Sequence, residues 1–230
     1  MDVDRLAPAL KLARQLGGVA DLFKVGSTLF TAEGPQAVKK LAGQGAEIFL
    51  DLKFHDIPNT VAGAVAAAAQ LPHVRLLTLH ASGGLAMMKA AREAASEVAG
   101  RGKQRPALLG VTILTSLDAA ALKHIGMRGT PATQAVALAR LAKEAGLDGV
   151  VASAHEVRAV RQACGPKFLI VVPGVRPAAA SADDQSRVAT PAEAIRAGAN
   201  YLVVGRPITA APDPRAAAQA IRQEIAAGTS

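Results

Sequence analysis

The sequence predicts an α/β fold, a TIM-type (β/α)8 barrel forming one domain over residues 1–230, with its first strand missing from the chain start. Three observations predict it. Short, almost wholly apolar runs alternate with alanine-rich segments of helical period, the pattern of a parallel sheet covered by helices on its outer side. No run alternates cleanly between polar and apolar, which disfavours a β-sandwich. Charged and polar residues cluster just after the apolar runs, and a barrel would bring all of those positions to one rim, the C-terminal face where active sites sit.

The elements follow in order. Arg5–Leu16 reads as a helix with Asp4 as its candidate cap. The strand candidates are Leu22–Val25, Glu47–Leu52, Val74–Leu79, Leu108–Leu114, Gly149–Ala152, Phe168–Val172 and Tyr201–Val204. Helical segments between them include Gly34–Gln44, Val61–Gln70, Gly84–Ala99, Thr133–Ala145, Ala154–Ala163 and Thr190–Ala197. That makes seven strands where closure needs eight. The missing strand is expected before Met1, which would make Met1 an internal start.

Composition bounds the function. The 230 residues are 50% hydrophobic and 3% aromatic, with 26 basic against 18 acidic residues and a net charge of +8. Lys and Arg are dispersed, Trp is absent and Tyr201 is the single tyrosine, so the clustered basic and aromatic footprint of a nucleic-acid binder is missing. An anionic small molecule suits the surplus charge better. Cys164 is alone, so an internal disulfide is excluded and a reducing, cytoplasmic setting is expected. Its expected role is that of a small, half-buried helix residue. The apolar runs fall short of the roughly 18–20 residues that a membrane span needs, and Asp2 and Asp4 argue against a secretory leader.

The most informative stretch is IFLDLKFHDIPNT at 48–60. In a strand, residues i and i+2 share a face, so Asp51 and Lys53 would project together. A carboxylate and an ammonium taken out of water together are costly, which makes such a pair a site candidate, although a structural ion pair beside a turn would look the same. Lys24, ending the strand in LFKVG, could complete an alternating charge array with them. PGVRP at 173–177 and VVGRPIT at 203–209 offer glycines for close backbone approach, a following helix N-terminus and the guanidinium forks of Arg176 and Arg206. These are phosphate-binding features at the loops where barrels often hold phosphate. Val175–Pro191 is a long loop expected to act as a lid, with Gln185 in DDQ as its polar contact. Thr115 and Ser116 end a strand with hydroxyls suited to a base edge, or form a simple turn. The histidines have no metal-ligand spacing, and His80 is expected to be a hydrogen-bonded structural residue. Neither a dinucleotide fingerprint nor a phosphate-loop motif is present, so no cofactor is expected.

The strings FKVG, FLDLKFHDIPNT, TLHASGG, GVTILTS, PGVRP with DDQSRVATP, and YLVVGRPIT together resemble the orotidine 5'-phosphate decarboxylase family over essentially the whole chain. The resemblance implies a homodimeric barrel that converts orotidine monophosphate to uridine monophosphate and carbon dioxide without cofactor or metal. By position, Lys24, Asp51 and Lys53 match the charged network of one subunit, with Lys53 as proton donor to C6. Asp56, Ile57 and Thr60 match residues lent across the dimer interface. Thr115 and Ser116 match the base contacts, and Pro173, Arg176, Gln185, Gly205 and Arg206 the phosphate end. The family's opening strand ends in an A-L-D-like string, so Asp2 is the expected ribose contact. Two alternatives carry weight. The D-x-K-x-x-D core also resembles a magnesium-dependent sugar-phosphate decarboxylase of the same suprafamily, and an incomplete N-terminus could leave a catalytically silent nucleotide-binding barrel.

Overall fold

The computed structural model describes residues 3–100, 104–177 and 189–228, with 99 and 100 as backbone only. Seven strands make one parallel sheet in strict chain order: β1 (Phe23–Gly26), β2 (Ile48–Phe54), β3 (Val74–His80), β4 (Ala107–Val111), β5 (Gly149–Val151), β6 (Leu169–Pro173) and β7 (Tyr201–Val203). Each pairs only with its sequence neighbours, and helices carry the chain back between them, so the sheet curls into a nearly closed barrel. The principal outer helices are α1 (Leu6–Leu16), α3 (Pro35–Ala42), α4 (Pro58–Ala69), α5 (Gly84–Gly100), α7 (Pro131–Glu144), α8 (Val157–Cys164) and α11 (Pro214–Gly228), with the short α6 (Ala119–His124) between β4 and α7.

Strand alternation divides the core in two. Phe49, Leu76, Leu109 and Val171 point inward and fill the barrel as one small cluster. Their chain neighbours Leu50, Leu77, Leu108, Ile170 and Val172 point outward into the layer beneath the helices, where Leu41, Val65, Met87 and Val160 meet them. Truncating a fully buried leucine such as Leu77 to alanine would cost about 2–5 kcal/mol. Small residues let the helices lie close to the sheet and to each other: Ala37, Ala91, Ala95, Ala135, Ala139 and Ala142 have no exposed surface.

Between the two edge strands, β1 and β7, runs a seam with a cavity of about 420 Å³. Phe23, Lys24, Tyr201 and Val203 line it, and it reaches inward to Phe49, Leu76 and Val171. No eighth strand occurs among the described residues.

Charged side chains at the strand starts tie the opposite end of the barrel. Arg105 grips Asp148 through two hydrogen bonds of 2.7 and 2.6 Å, and the same carboxylate accepts the Leu108 N–H at 2.7 Å. Arg75 pairs with Glu47 and holds that carboxyl below its ordinary range. Arg161 donates to the carbonyls of Gly165, Phe168 and Gly198. This is the end of a barrel where order serves stability.

Several expected boundaries move. Asp4 does not cap α1; its N-terminal Leu6 N–H is taken by the Glu33 carboxylate at 2.8 Å, reaching across from the unanticipated helix α2 (Ser27–Glu33). β4 stops at Val111 rather than Leu114, because the chain turns to let Leu117 N–H bond Leu114 O. β2 continues past Leu52 to Phe54 through an irregularity described below. Pro58 opens α4 earlier than Val61, since its fixed φ and missing N–H suit a first helical position. Thr190 and Glu193 form a reciprocal capping box that starts α9 (Pro191–Arg196). Cys164 is buried on α8 rather than half-buried.

Candidate active site

The site grows out of the inner face of the barrel. On β2, Phe49 belongs to the apolar plug and Asp51, two residues on, stands directly above it; on β3, Leu76 and Thr78 repeat the step. A polar layer therefore caps the apolar one at the strands' C-terminal ends. Burial falls off along β2, from the buried Ile48–Asp51 to the half-buried Leu52, Lys53 and Phe54. The rim is where the side chains meet solvent.

Asp51 is the hub. Its Oδ2 receives the Lys53 ammonium at 2.7 Å and the Lys24 ammonium at 3.5 Å, and its Oδ1 accepts the Thr78 hydroxyl at 2.9 Å. Asp51 keeps only 7% of its surface exposed. Charges this poorly hydrated interact more strongly than surface ion pairs, and breaking one leaves the others uncompensated. The expected array is thus assembled, although two details differ. Lys24 is the second residue of β1 rather than its end, placed beside Phe49 in the parallel register. Lys53 does not sit in a regular strand: its φ of 52° is left-handed, a conformation costing roughly 1–2 kcal/mol for a side chain with a Cβ. The pair meets through this kink rather than through plain alternation.

Thr78 was not anticipated. It has no exposed surface, accepts the Lys53 backbone N–H at 2.9 Å and donates to Asp51. A lone hydroxyl in the apolar run VRLLTLH, two residues before His80 on the same face, was the available signal.

His80 ends β3 half-buried, with its ring tilted against His55 at 5.3 Å between centroids. This ring pair stands in place of the expected hydrogen bond. Burial, then the neighbouring His55 and Lys53, pushes the His80 imidazole below its ordinary value, outweighing Asp51.

The candidate phosphate end lies across the rim on β6 and β7. Gly174 takes a φ of 77° straight after β6, so the turn leading to Arg176 needs glycine. Pro173, Gly174 and Gly205 line the same cavity as Lys24, which joins this end to the charge array, although most of that cavity is the seam and runs down to Leu16. Arg206 is exposed and opens α10 (Arg206–Thr209). That helix is a single turn, so the expected dipole contribution is minor and any anion grip there falls to side chains and backbone amides. Thr115 and Ser116 do not end a strand; they lie exposed in the turn beyond β4. Thr112 is the hydroxyl at that strand's end, and it is committed to Val151 O at 2.9 Å. Asp56, Ile57 and Thr60 are all exposed, Ile57 at 65%, and the Asp56 carboxylate accepts the Ile57 N–H at 2.6 Å. Asp2 and Gln185 lie outside the described residues.

A parallel barrel whose C-terminal rim carries a buried carboxylate held between two ammoniums defines a class: a barrel enzyme built to receive an anionic substrate. The family model for "Orotidine 5'-phosphate decarboxylase / HUMPS family" matches residues 1–221, and the chain belongs to that family. It is 55% identical over 227 residues to an orotidine 5'-phosphate decarboxylase of Moorella thermoacetica, covering 98% of this chain and 90% of the relative. It is also 55% identical to one of Nitrosococcus oceani, with 98% and 95% covered. The crystal structure of the orotidine 5'-phosphate decarboxylase from Lactobacillus acidophilus superposes with a TM-score of 0.87 at 41% identity, covering 98% of this chain and 96% of that one.

Proposed function

We propose that the chain decarboxylates orotidine 5'-phosphate to uridine 5'-phosphate and carbon dioxide, the closing step of pyrimidine nucleotide synthesis. The observation that carries the reading is Asp51 held between Lys24 and Lys53 on the rim, in a chain of this family. In the reaction the bond from C6 to its carboxylate breaks, carbon dioxide leaves, and the electron pair stays on C6. The Lys53 ammonium stabilises that carbanion and then delivers its proton to C6; solvent reprotonates the amine. The carbanion has little resonance help, so stabilisation on the order of 20 kcal/mol is demanded, near the upper end for enzymes. Charges fixed in advance are the strongest single source of it. Lys53 is fixed at both ends, by Thr78 on its backbone N–H and by Asp51 on its ammonium. Asp51 faces the departing carboxylate and orients both lysines.

Binding energy from the remote phosphate would come from Arg206 and Arg176, with Pro173 and Gly205 shaping the pocket and Gln185 contributing from the loop. Thr115 and Ser116 would meet the pyrimidine, and Asp2 the ribose. The exposed Ile57, flanked by Asp56 and Thr60, suits a second copy of the chain whose site these residues complete, so the working unit is a homodimer. The reading carries a cytoplasmic location with it, which the single free thiol fits. No helix among the described residues is long and apolar enough to cross a membrane.

The test is a spectrophotometric assay with orotidine monophosphate, with and without a chelator. Turnover indifferent to the chelator is expected. Uridine monophosphate binding without turnover would point instead to a silent nucleotide-binding barrel, and turnover of a sugar phosphate that requires magnesium would point to the related decarboxylase.

A further inference from the structure

The pairing of β2 with β3 breaks at the site. Leu50 stands opposite Leu77 and Phe54 opposite Leu79, so Asp51, Leu52 and Lys53 share a single partner residue, Thr78. A bulge of this kind leaves backbone donors without a ladder partner. The left-handed φ of Lys53 turns its N–H out of the ladder, and the Thr78 hydroxyl accepts it at 2.9 Å. The hydroxyl's own proton goes to Asp51 Oδ1 at 2.9 Å. A hydroxyl can accept and donate at once, and β-branching restricts the rotamers open to it. With no exposed surface at Thr78, water is not on hand to replace it.

We infer that Thr78 is a positioning residue for the reaction: it holds the strained Lys53 backbone and turns the Asp51 carboxylate toward both lysines. The bonds close a ring, from Lys53 N–H to Thr78, from Thr78 to Asp51, and from Asp51 back to the Lys53 ammonium. Asp51 then has one oxygen fixed by the hydroxyl and the other left to the two ammoniums. Removing the hydroxyl frees the kink to relax toward an ordinary strand, which would swing the ammonium away from the reacting carbon.

The inference rests on the decarboxylase reading, and two measurements separate their failures. Thr78→Val keeps the shape and removes both hydrogen bonds. Its kcat should fall by about a hundredfold, the scale of a small misplacement of a reacting group, with uridine monophosphate affinity within about threefold of wild type. Thr78→Ser should restore most of the rate. If Thr78→Val fails to fold, Thr78→Cys takes its place: the site stays filled while the sulfur is a weak donor and acceptor. A kcat for either variant within about threefold of an active wild type overturns the inference and leaves the decarboxylase reading standing. The second measurement needs no turnover. Amide hydrogen exchange at Lys53 should be slow in wild type and in Thr78→Ser and clearly faster in Thr78→Val; equal protection in all three overturns the inference even if the chain has another activity.

Discussion

Lys24 and Lys53 converge on one atom. Their ammonium nitrogens lie 3.5 and 2.7 Å from Oδ2 of Asp51, though the two lysines come from different strands, 29 residues apart in the chain's numbering of 24 and 53. On the proposed reading, two ammoniums held at one carboxylate suit an anionic substrate, since they stand where charge develops when its carboxylate leaves.

Lys53→Ala should therefore abolish turnover while leaving nucleotide binding largely intact. Alanine tolerates the left-handed backbone no worse than lysine does, so the change deletes the ammonium and little else. Proton donation typically contributes 10²–10⁴-fold, and steady-state kinetics with uridine monophosphate titrations check the split. A variant retaining more than about a hundredth of the wild-type kcat would remove Lys53 from the proton-donor role.

If Arg206 grips the substrate phosphate as proposed, Arg206→Ala should lower kcat/KM by an amount equivalent to several kcal/mol, the cost of losing a charge-assisted contact. With a phosphate-free nucleoside substrate, added inorganic phosphite should partly restore wild-type activity and do much less for the variant. Wild-type kinetics in Arg206→Ala would mean that the phosphate binds elsewhere.

The barrel was legible because its strands are apolar on both faces, a pattern that single residues cannot disguise. The ends of elements were less so. Glu33 caps α1 in place of Asp4 from a helix that the sequence did not announce, since a cap can come from anywhere that reaches the N–H. Asp51 and Lys53 were found by their spacing, but Thr78 was not. Its role depends on a register shift between β2 and β3, and register is a property of two strands together rather than of either sequence alone.

The site should be composite. Asp56 and Thr60 follow Lys53 by only a few residues, yet both are exposed where α4 begins, and the neighbouring Ile57 offers a partner an apolar surface. Lys53→Ala and Asp56→Ala subunits, each inactive alone, should regain activity when mixed, because a heterodimer holds one site with both residues intact. Measured heterodimer formation with no recovered activity would rule out sharing.

Stability should also fall on the acid side through His80. Burial is the main cause of its lowered affinity for a proton, with His55 and Lys53 adding to it. In the unfolded chain the ring titrates near its ordinary value of 6.5, and in the folded protein below that. Between those two values the unfolded state binds more protons, and stability rises with pH wherever that holds. The contribution is therefore complete above about pH 6.5 and is lost progressively as the pH falls below it. Thermal unfolding followed from pH 7 toward 5 should show Tm decreasing, and His80→Asn should flatten that part of the curve. An NMR titration of the histidine rings gives the direct check: the His80 midpoint should lie below 6.5, and a midpoint above it, or equal slopes for wild type and variant, would reject the assignment.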